Sequence, residues 1–308
     1  MSCNVNIQIK MAIIAIAIVI PLSSIAVYGT DSNQRFVNID NSRLQVISSF
    51  YPLHEFSQNV GKEKVDAILL VPVGVEPHDW EPTVKDVQRM QGTDLIIING
   101  IGFENWVDDL EQSGYSGEIV DTSNGILIKT HEEEHEDENH LEGDPHIWLN
   151  PVYAKIQVQN IADAFSNVDP TNQQYYQSNA AAYIKDLELL DLKIRNDLSN
   201  CKNDFIAFHD AFSYFADEYN LKQHTIISSN DPHGEATAKT LENIISTAKK
   251  LNIKVIFAEE SVDTRTSQII ANEIGGKVLV LSPLESSSDG TYISKMTKNF
   301  ENLKEALC

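Results

Sequence analysis

The sequence predicts an α/β protein of two lobes, each a four-stranded parallel sheet with flanking helices, joined by one long bridging helix. Three observations predict it. Short apolar runs alternate with segments of helical period, they fall into two series of four, and a stretch without Gly or Pro separates the series. Strands alternating with helices imply parallel sheets covered on both faces.

At the N-terminus, Lys10 precedes MAIIAIAIVI, followed by Pro21 and the small-residue stretch LSSIAVYG. A basic start, an apolar run of about ten residues and a small-residue exit describe an export signal, with cleavage after Ala26 or Gly29. Met11 to Tyr28 is also long enough for an uncleaved anchor. Residues 1–29 are therefore read as a signal peptide or an N-terminal anchor, and 30–43 as a polar linker. No Cys follows the apolar run directly, so a lipid anchor there is not indicated.

The N-terminal α/β lobe is assigned to residues 44–169. Its strands are LQVISSF (44–50), VDAILLVPV (65–73), LIIING (95–100) and GEIVDTS (117–123), with helices in TVKDVQRMQG and ENWVDDLEQSG. The bridging helix is assigned to 170–202. Within it, residues 171 to 200 are good helix formers, with apolar side chains at Tyr183, Ile184, Leu187, Leu190, Leu192 and Ile194. One helix of about thirty residues would run roughly 45 Å and restrain hinge motion between the lobes. Two shorter helices are the alternative, and the unbroken propensity disfavours it. The C-terminal α/β lobe, 203–308, has strands DFIAFHD (204–210), HTIISS (224–229), VIFAEES (255–261) and KVLVLSP (277–283). Its helices AKTLENIISTAKKL and RTSQIIANEIGG place apolar residues at period 3.6.

Acidic residues outnumber basic ones 45 to 23, a net charge of −22. That balance argues against nucleic acid and against docking on anionic lipid. A solvated acidic surface explains most of it, and cation handling is compatible with it.

Three histidines stand where strands end. His78 lies in VGVEPHDWEP, His146 in GDPHIWLNP, and His209 closes FIAFHD. In open α/β sheets, ligands bind outside the carboxyl ends of the strands. Any one of these residues alone reads as structural; three at comparable positions point to a metal. Neutral imidazoles suit zinc. Asp79, Asp144 and Asp210 each sit within two residues of a histidine and are candidate acceptors for its second nitrogen. Between His131 and Asp144 there are three histidines, eight carboxylates and no basic residue, so the segment cannot form a core. Either it is only a solvated loop, or it handles cations. His54, His224 and His233 read as structural or surface residues, with His233 in NDPHGEAT a second-rank candidate for the cleft.

The motifs EPHDWEPT, DPHIWLNP, FIAFHDAFSYFADEYNL, VIFAEESVDTR and GTYISKMTKNFENL together resemble the metal-binding receptors of zinc and manganese ABC importers. The resemblance runs in order over nearly the whole chain after the export segment. It implies two α/β lobes bridged by a long helix, a metal in the cleft between them, and the ligands His78, His146 and His209. It also implies Zn²⁺ as transported ligand, an ABC permease and its ATPase as partners, and a location in the periplasm or on the outer face of the cytoplasmic membrane. A monomer is expected. Zinc receptors of this kind often carry a His- and acid-rich loop, so the resemblance assigns 131–144 to metal capture, with His131, His135 and His140 as weak loop sites.

One position departs from the pattern. Many members carry Asp in a turn after the last strand, where this chain reads LSPL, with Ser282. The expectation is three histidines with a fourth ligand from Glu259, Glu76 or water, and a preference for zinc over manganese because a hard oxygen donor is missing. The alternatives in function are a manganese receptor or a metal-dependent adhesin of the same fold, and a His₃ zinc hydrolase. The hydrolase reading lacks a general base in a motif such as H-E-x-x-H. Cys201 and Cys308 are the cysteines beyond the export segment, and on their own they are equally a bridge or two free thiols. The resemblance implies a bridge that ties the last helix to the C-terminal lobe, with Cys201 as partner, because VIFAEES holds no Cys.

Overall fold

Leu95–Ile98 is four consecutive apolar residues, all buried, and the pleat divides them between two cores. Leu95 and Ile97 belong to the core that includes Phe50, Trp148 and Phe257, whereas Ile96 and Ile98 belong to the one with Ile47, Met90, Trp106 and Leu110. That division is what a strand covered by helices on both faces requires. It sets the architecture of the computed structural model, which describes residues 43–129, 143–227, 236–260, 264–285 and 289–308.

The first lobe contains β1 (Leu44–Ser48), β2 (Val65–Leu69), β3 (Leu95–Ile98) and β4 (Glu118–Asp121), all parallel, in the order β2-β1-β3-β4. The second contains β5 (Asp204–Ala207), β6 (Lys222–Thr225), β7 (Val255–Ala258) and β8 (Lys277–Val280), in the corresponding order β6-β5-β7-β8. In each sheet the strand order reverses between the two central strands, so each lobe offers a crevice at their carboxyl ends.

Helices α1 (Tyr51–Gly61), α2 (Val84–Met90) and α3 (Val107–Gln112) belong to the first lobe, and α6 (Ser213–Glu218), α7 (Ala238–Leu251) and α8 (Arg265–Glu273) to the second. Their starts follow local chemistry. Thr83 and Asp86 form a capping box on α2, and the Thr237 hydroxyl accepts from Thr240 N on α7. Helix α9 (Tyr292–Leu307) is the last helix, which Cys308 ends, whereas α4 (Pro151–Val168), like α1 and α6, has no counterpart in the strand and helix segments read above. Asn150 caps α4 through Val152 N, with Pro151 at the first helical position.

The bridging helix is α5, Gln173–Leu198, entered through a 3₁₀ turn at Pro170–Asn172. Its 26 residues run about 39 Å. It buries Tyr176, Ala180, Tyr183, Leu187, Leu190, Ile194 and Leu198 at helical spacing, against α4, α1 and α9. These side chains join the inner faces of both sheets into one apolar core. Truncating the fully buried Leu187 to Ala should cost about 2–5 kcal/mol.

Strand β6 lies two residues earlier than the apolar run HTIISS. Pairing with β5 begins at Asp204↔Lys222, and Ile226 and Ile227 are buried just past the strand, donating to Ala207 and Phe208 carbonyls. Burial alone does not fix where a ladder starts, and here the polar half of the edge strand carries it. Cys201 and Cys308 form a disulfide with a Cα–Cα distance of 4.7 Å, fastening the end of α9 beside the end of α5. Residues 1–42, 130–142 and 228–235, with the export segment, most of the linker, the loop histidines and His233, lie outside the described residues.

Candidate metal centre

His78 follows β2 on a turn opened by Gly74, whose φ of +83° suits a residue without Cβ. Its backbone N–H donates to Glu76 Oε1 at 3.2 Å, and its ring stands edge-on to Phe103 at 4.8 Å. His146 follows β4 after the stretch 130–142 and is fully buried. Asp144 Oδ1 accepts both its backbone N–H at 3.0 Å and its ring Nδ1–H at 2.8 Å. His209, also fully buried, lies two residues past β5. Glu259, on the end of the adjacent β7, takes its Nδ1–H at 2.5 Å. With Nδ1 of both rings committed as donor, Nε2 carries the free lone pair in the neutral form.

The Nε2 atoms of all three rings meet at one carboxylate oxygen. Glu285 Oε1 is 3.3 Å from His78 Nε2, 3.4 Å from His146 Nε2 and 3.7 Å from His209 Nε2. The two buried histidines stand 3.3 Å apart, Nε2 to Nε2. Four donors held about 2.0–2.1 Å from one tetrahedral zinc would lie roughly 3.3 Å from each other, so this spacing fits a zinc-sized ion. The ligand atoms of His78, His146, His209 and Glu285 all lie within 4.8 Å of one another.

The electrostatics favour a cation. Burial alone would push the Glu285 carboxyl up, but hydrogen bonds from His146 and His78 outweigh it and hold the group ionised well below the usual range. Burial would lower His146, yet hydrogen bonds to Asp144 and Glu285 raise the ring to about 10. Asp144 itself, opposed by burial and favoured by the His146 hydrogen bond, sits below its ordinary value.

The fourth carboxylate differs from the sequence expectation. Glu259 is turned to Nδ1 of His209, on the far side of the ring, and Glu76 Oε1 is turned to the His78 backbone N–H. Glu285 instead faces the three imidazoles. Ser282, where the resemblance aligns the family's ligand turn, is not in this group. Its hydroxyl bonds Glu260 Oε2 at 3.1 Å and accepts from Leu284 N at 3.3 Å, and the turn it starts delivers Glu285 three residues later. An oxygen donor is therefore present, and its supposed absence no longer argues for zinc over manganese. Position was the available signal: Glu285 is the first carboxylate past the carboxyl end of β8. Of the aspartates beside the histidines, Asp144 takes an imidazole N–H, Asp210 instead accepts from Gln223 at 3.0 Å, and Asp79 is exposed. His224 pairs with Asp204 across β5 and β6 at 2.8 Å.

A family model described as ZnuA, zinc-uptake complex component A, periplasmic, matches residues 46–306. The chain belongs to this family. It is 38% identical over 299 residues to the high-affinity zinc uptake system protein ZnuA of Bacillus subtilis, covering 92% of this chain and 93% of that one. It is 33% identical over 287 residues to the zinc-binding protein AdcA of Streptococcus pyogenes, covering 85% of this chain but only 56% of AdcA. The chain therefore spans about half the length of that relative. Among solved structures, the metal-dependent lipoprotein YcdH of Bacillus subtilis superposes with a TM-score of 0.75 at 38% identity, over 86% of this chain and 99% of that one.

Proposed function

We propose that the chain is an extracytoplasmic receptor that binds Zn²⁺ through His78, His146, His209 and Glu285 and delivers it to an ABC importer. The observation that carries this reading is the convergence of three Nε2 atoms on Glu285 Oε1 at 3.3–3.7 Å in a buried site between two lobes. Family membership supports zinc as cargo and an ABC permease with its ATPase as partners. This is a family of uptake receptors, so no enzymatic turnover is assigned to the His₃ site.

Residues 1–29 act as a signal peptide or hold the receptor at the outer face of the membrane, and the receptor works as a monomer that binds no nucleic acid. The stretch 131–144 is assigned to capture, with His131, His135 and His140 as weak sites feeding the cleft. Elemental mass spectrometry of protein purified without added metal, followed by competition between Zn²⁺ and Mn²⁺, tests the assignment. One tight zinc per chain and displacement of Mn²⁺ are expected. Deleting 131–142 should leave that tight site and remove the weaker equivalents.

A further inference from the structure

Two hydrogen bonds pass between the lobes directly behind metal ligands, and they run in opposite directions. The Ser213 hydroxyl, at the start of α6 in the second lobe, bonds Asp144 Oδ2 in the first. The other oxygen of that carboxylate holds His146 by both its backbone and ring N–H. Tyr214 reinforces the contact: its hydroxyl accepts from Lys129 N at 3.0 Å and donates to Asp144 O at 2.8 Å. In the other direction, the Trp148 indole of the first lobe donates to Pro283 O of the second at 2.7 Å. Glu285 lies two residues beyond Pro283. The residue between them, Leu284, is buried with φ +59°, a conformation that residues with a Cβ avoid unless their surroundings enforce it. Asn299 clasps the start of the same turn, accepting from Ser282 N at 2.8 Å and donating to Ser282 O at 2.6 Å.

We propose that each lobe orients a metal ligand belonging to the other: Ser213 positions His146 through Asp144, and Trp148 positions Glu285 through the Pro283–Leu284 turn. This rests on the reading of His146 and Glu285 as ligands. The site is then fully formed only while the lobes touch. A hydrogen bond is lost once its atoms part beyond about 3.5 Å, so a small separation at this seam suffices. It frees the His146 ring to turn and the Leu284 turn to relax in one movement. Metal release then needs no large hinge motion, which the long α5 restrains.

The test is zinc affinity by competitive titration, with the thermal midpoint of metal-free protein as a check on folding. Trp148→Phe and Ser213→Ala should each weaken zinc binding about tenfold, the scale expected for groups that orient a ligand. Ser213→Thr, which keeps the hydroxyl, should retain wild-type affinity. In double-mutant cycles the Trp148→Phe loss should vanish in the Glu285→Gln background, and the Ser213→Ala loss in the His146→Ala background. Losses that persist undiminished in those backgrounds overturn the proposal, because the residues then act elsewhere than through these ligands. Wild-type affinity in Glu285→Gln alone identifies a different failure: Glu285 is then no ligand, and the Trp148 half falls with that reading.

Discussion

Glu259 Oε1 lies 2.5 Å from His209 Nδ1, on the ring edge opposite the Nε2 that faces Glu285. Two carboxylates thus flank one imidazole with separate tasks. On the proposed reading Glu259 fixes the orientation of the ring, while Glu285 completes the donor set. Glu259→Gln should keep one zinc per chain and weaken affinity about 10–100-fold. Glu285→Ala, which removes a donor outright, should weaken it further. Competitive titration ranks the two variants; a larger loss in Glu259→Gln would exchange the roles assigned here.

Zinc binding should expel a proton. Asp144 and Glu285, against the opposing effect of burial, hold His146 at about 10, so its ring is protonated at neutral pH until metal displaces the proton. The sign follows: affinity rises with pH below about 10, by about tenfold per unit for each proton released. Calorimetric titration at pH 7 in buffers of different ionisation enthalpy measures this. Identical enthalpies in all buffers would contradict it.

Stability carries a pH signature from a carboxyl away from the metal site. Glu104 is fully buried, and burial raises it to about 7 despite N–H bonds from Asn99 and Gly100 and the Ser49 hydroxyl. Because its folded value lies above the ordinary glutamate value of about 4.5, the folded state holds a proton that the unfolded chain has already lost between those two pH values. Its contribution therefore falls as pH rises from about 4.5 to 7, by about 3 kcal/mol in total, and is flat above. The unfolding free energy of wild type relative to Glu104→Gln should decline by that order across the interval. A difference independent of pH would remove Glu104 as the source.

The Cys201–Cys308 bridge spans 107 positions of sequence. In the chain-entropy model, closing a loop of that size contributes about 4–5 kcal/mol, less any strain. Cys308→Ser should lower the chemical-denaturation midpoint accordingly, and denatured, unreduced mature wild type should show no reactive thiol. Two reactive thiols would contradict the pairing.

Much of the fold was legible because two-faced burial writes itself into sequence. LIII and VIFA are apolar at every position, as strands covered on both sides must be, and α5 carries its core stripe without a Gly or Pro to interrupt it. Helices α1 and α4 were not read from the sequence. Each begins with a Pro-containing turn, and the stripe that α4 buries includes Gln157 and Ser166 among its apolar residues. The histidines were legible because each ends a strand or follows a Pro in a short motif. Glu285 was not, since the turn LSPLE depends on a left-handed Leu284 that no residue type announces. Aligning LSPL with the family's ligand turn placed that position at Ser282, three residues before Glu285; with Ser282 bonded to Glu260 and Glu285 facing the histidines, Ser282→Asp should not improve Mn²⁺ binding.

The central claim is that one zinc is held by three imidazoles from two lobes and a carboxylate from the β8 turn. X-ray absorption at the zinc edge of the loaded protein tests it most directly, compared with the His209→Ala and Glu285→Gln variants. The wild type should show three imidazole nitrogens and one oxygen at about 2.0–2.2 Å, with one imidazole lost in the first variant and the oxygen shell altered in the second. Fewer than three imidazoles in the wild type, or an unchanged spectrum in His209→Ala, would contradict it.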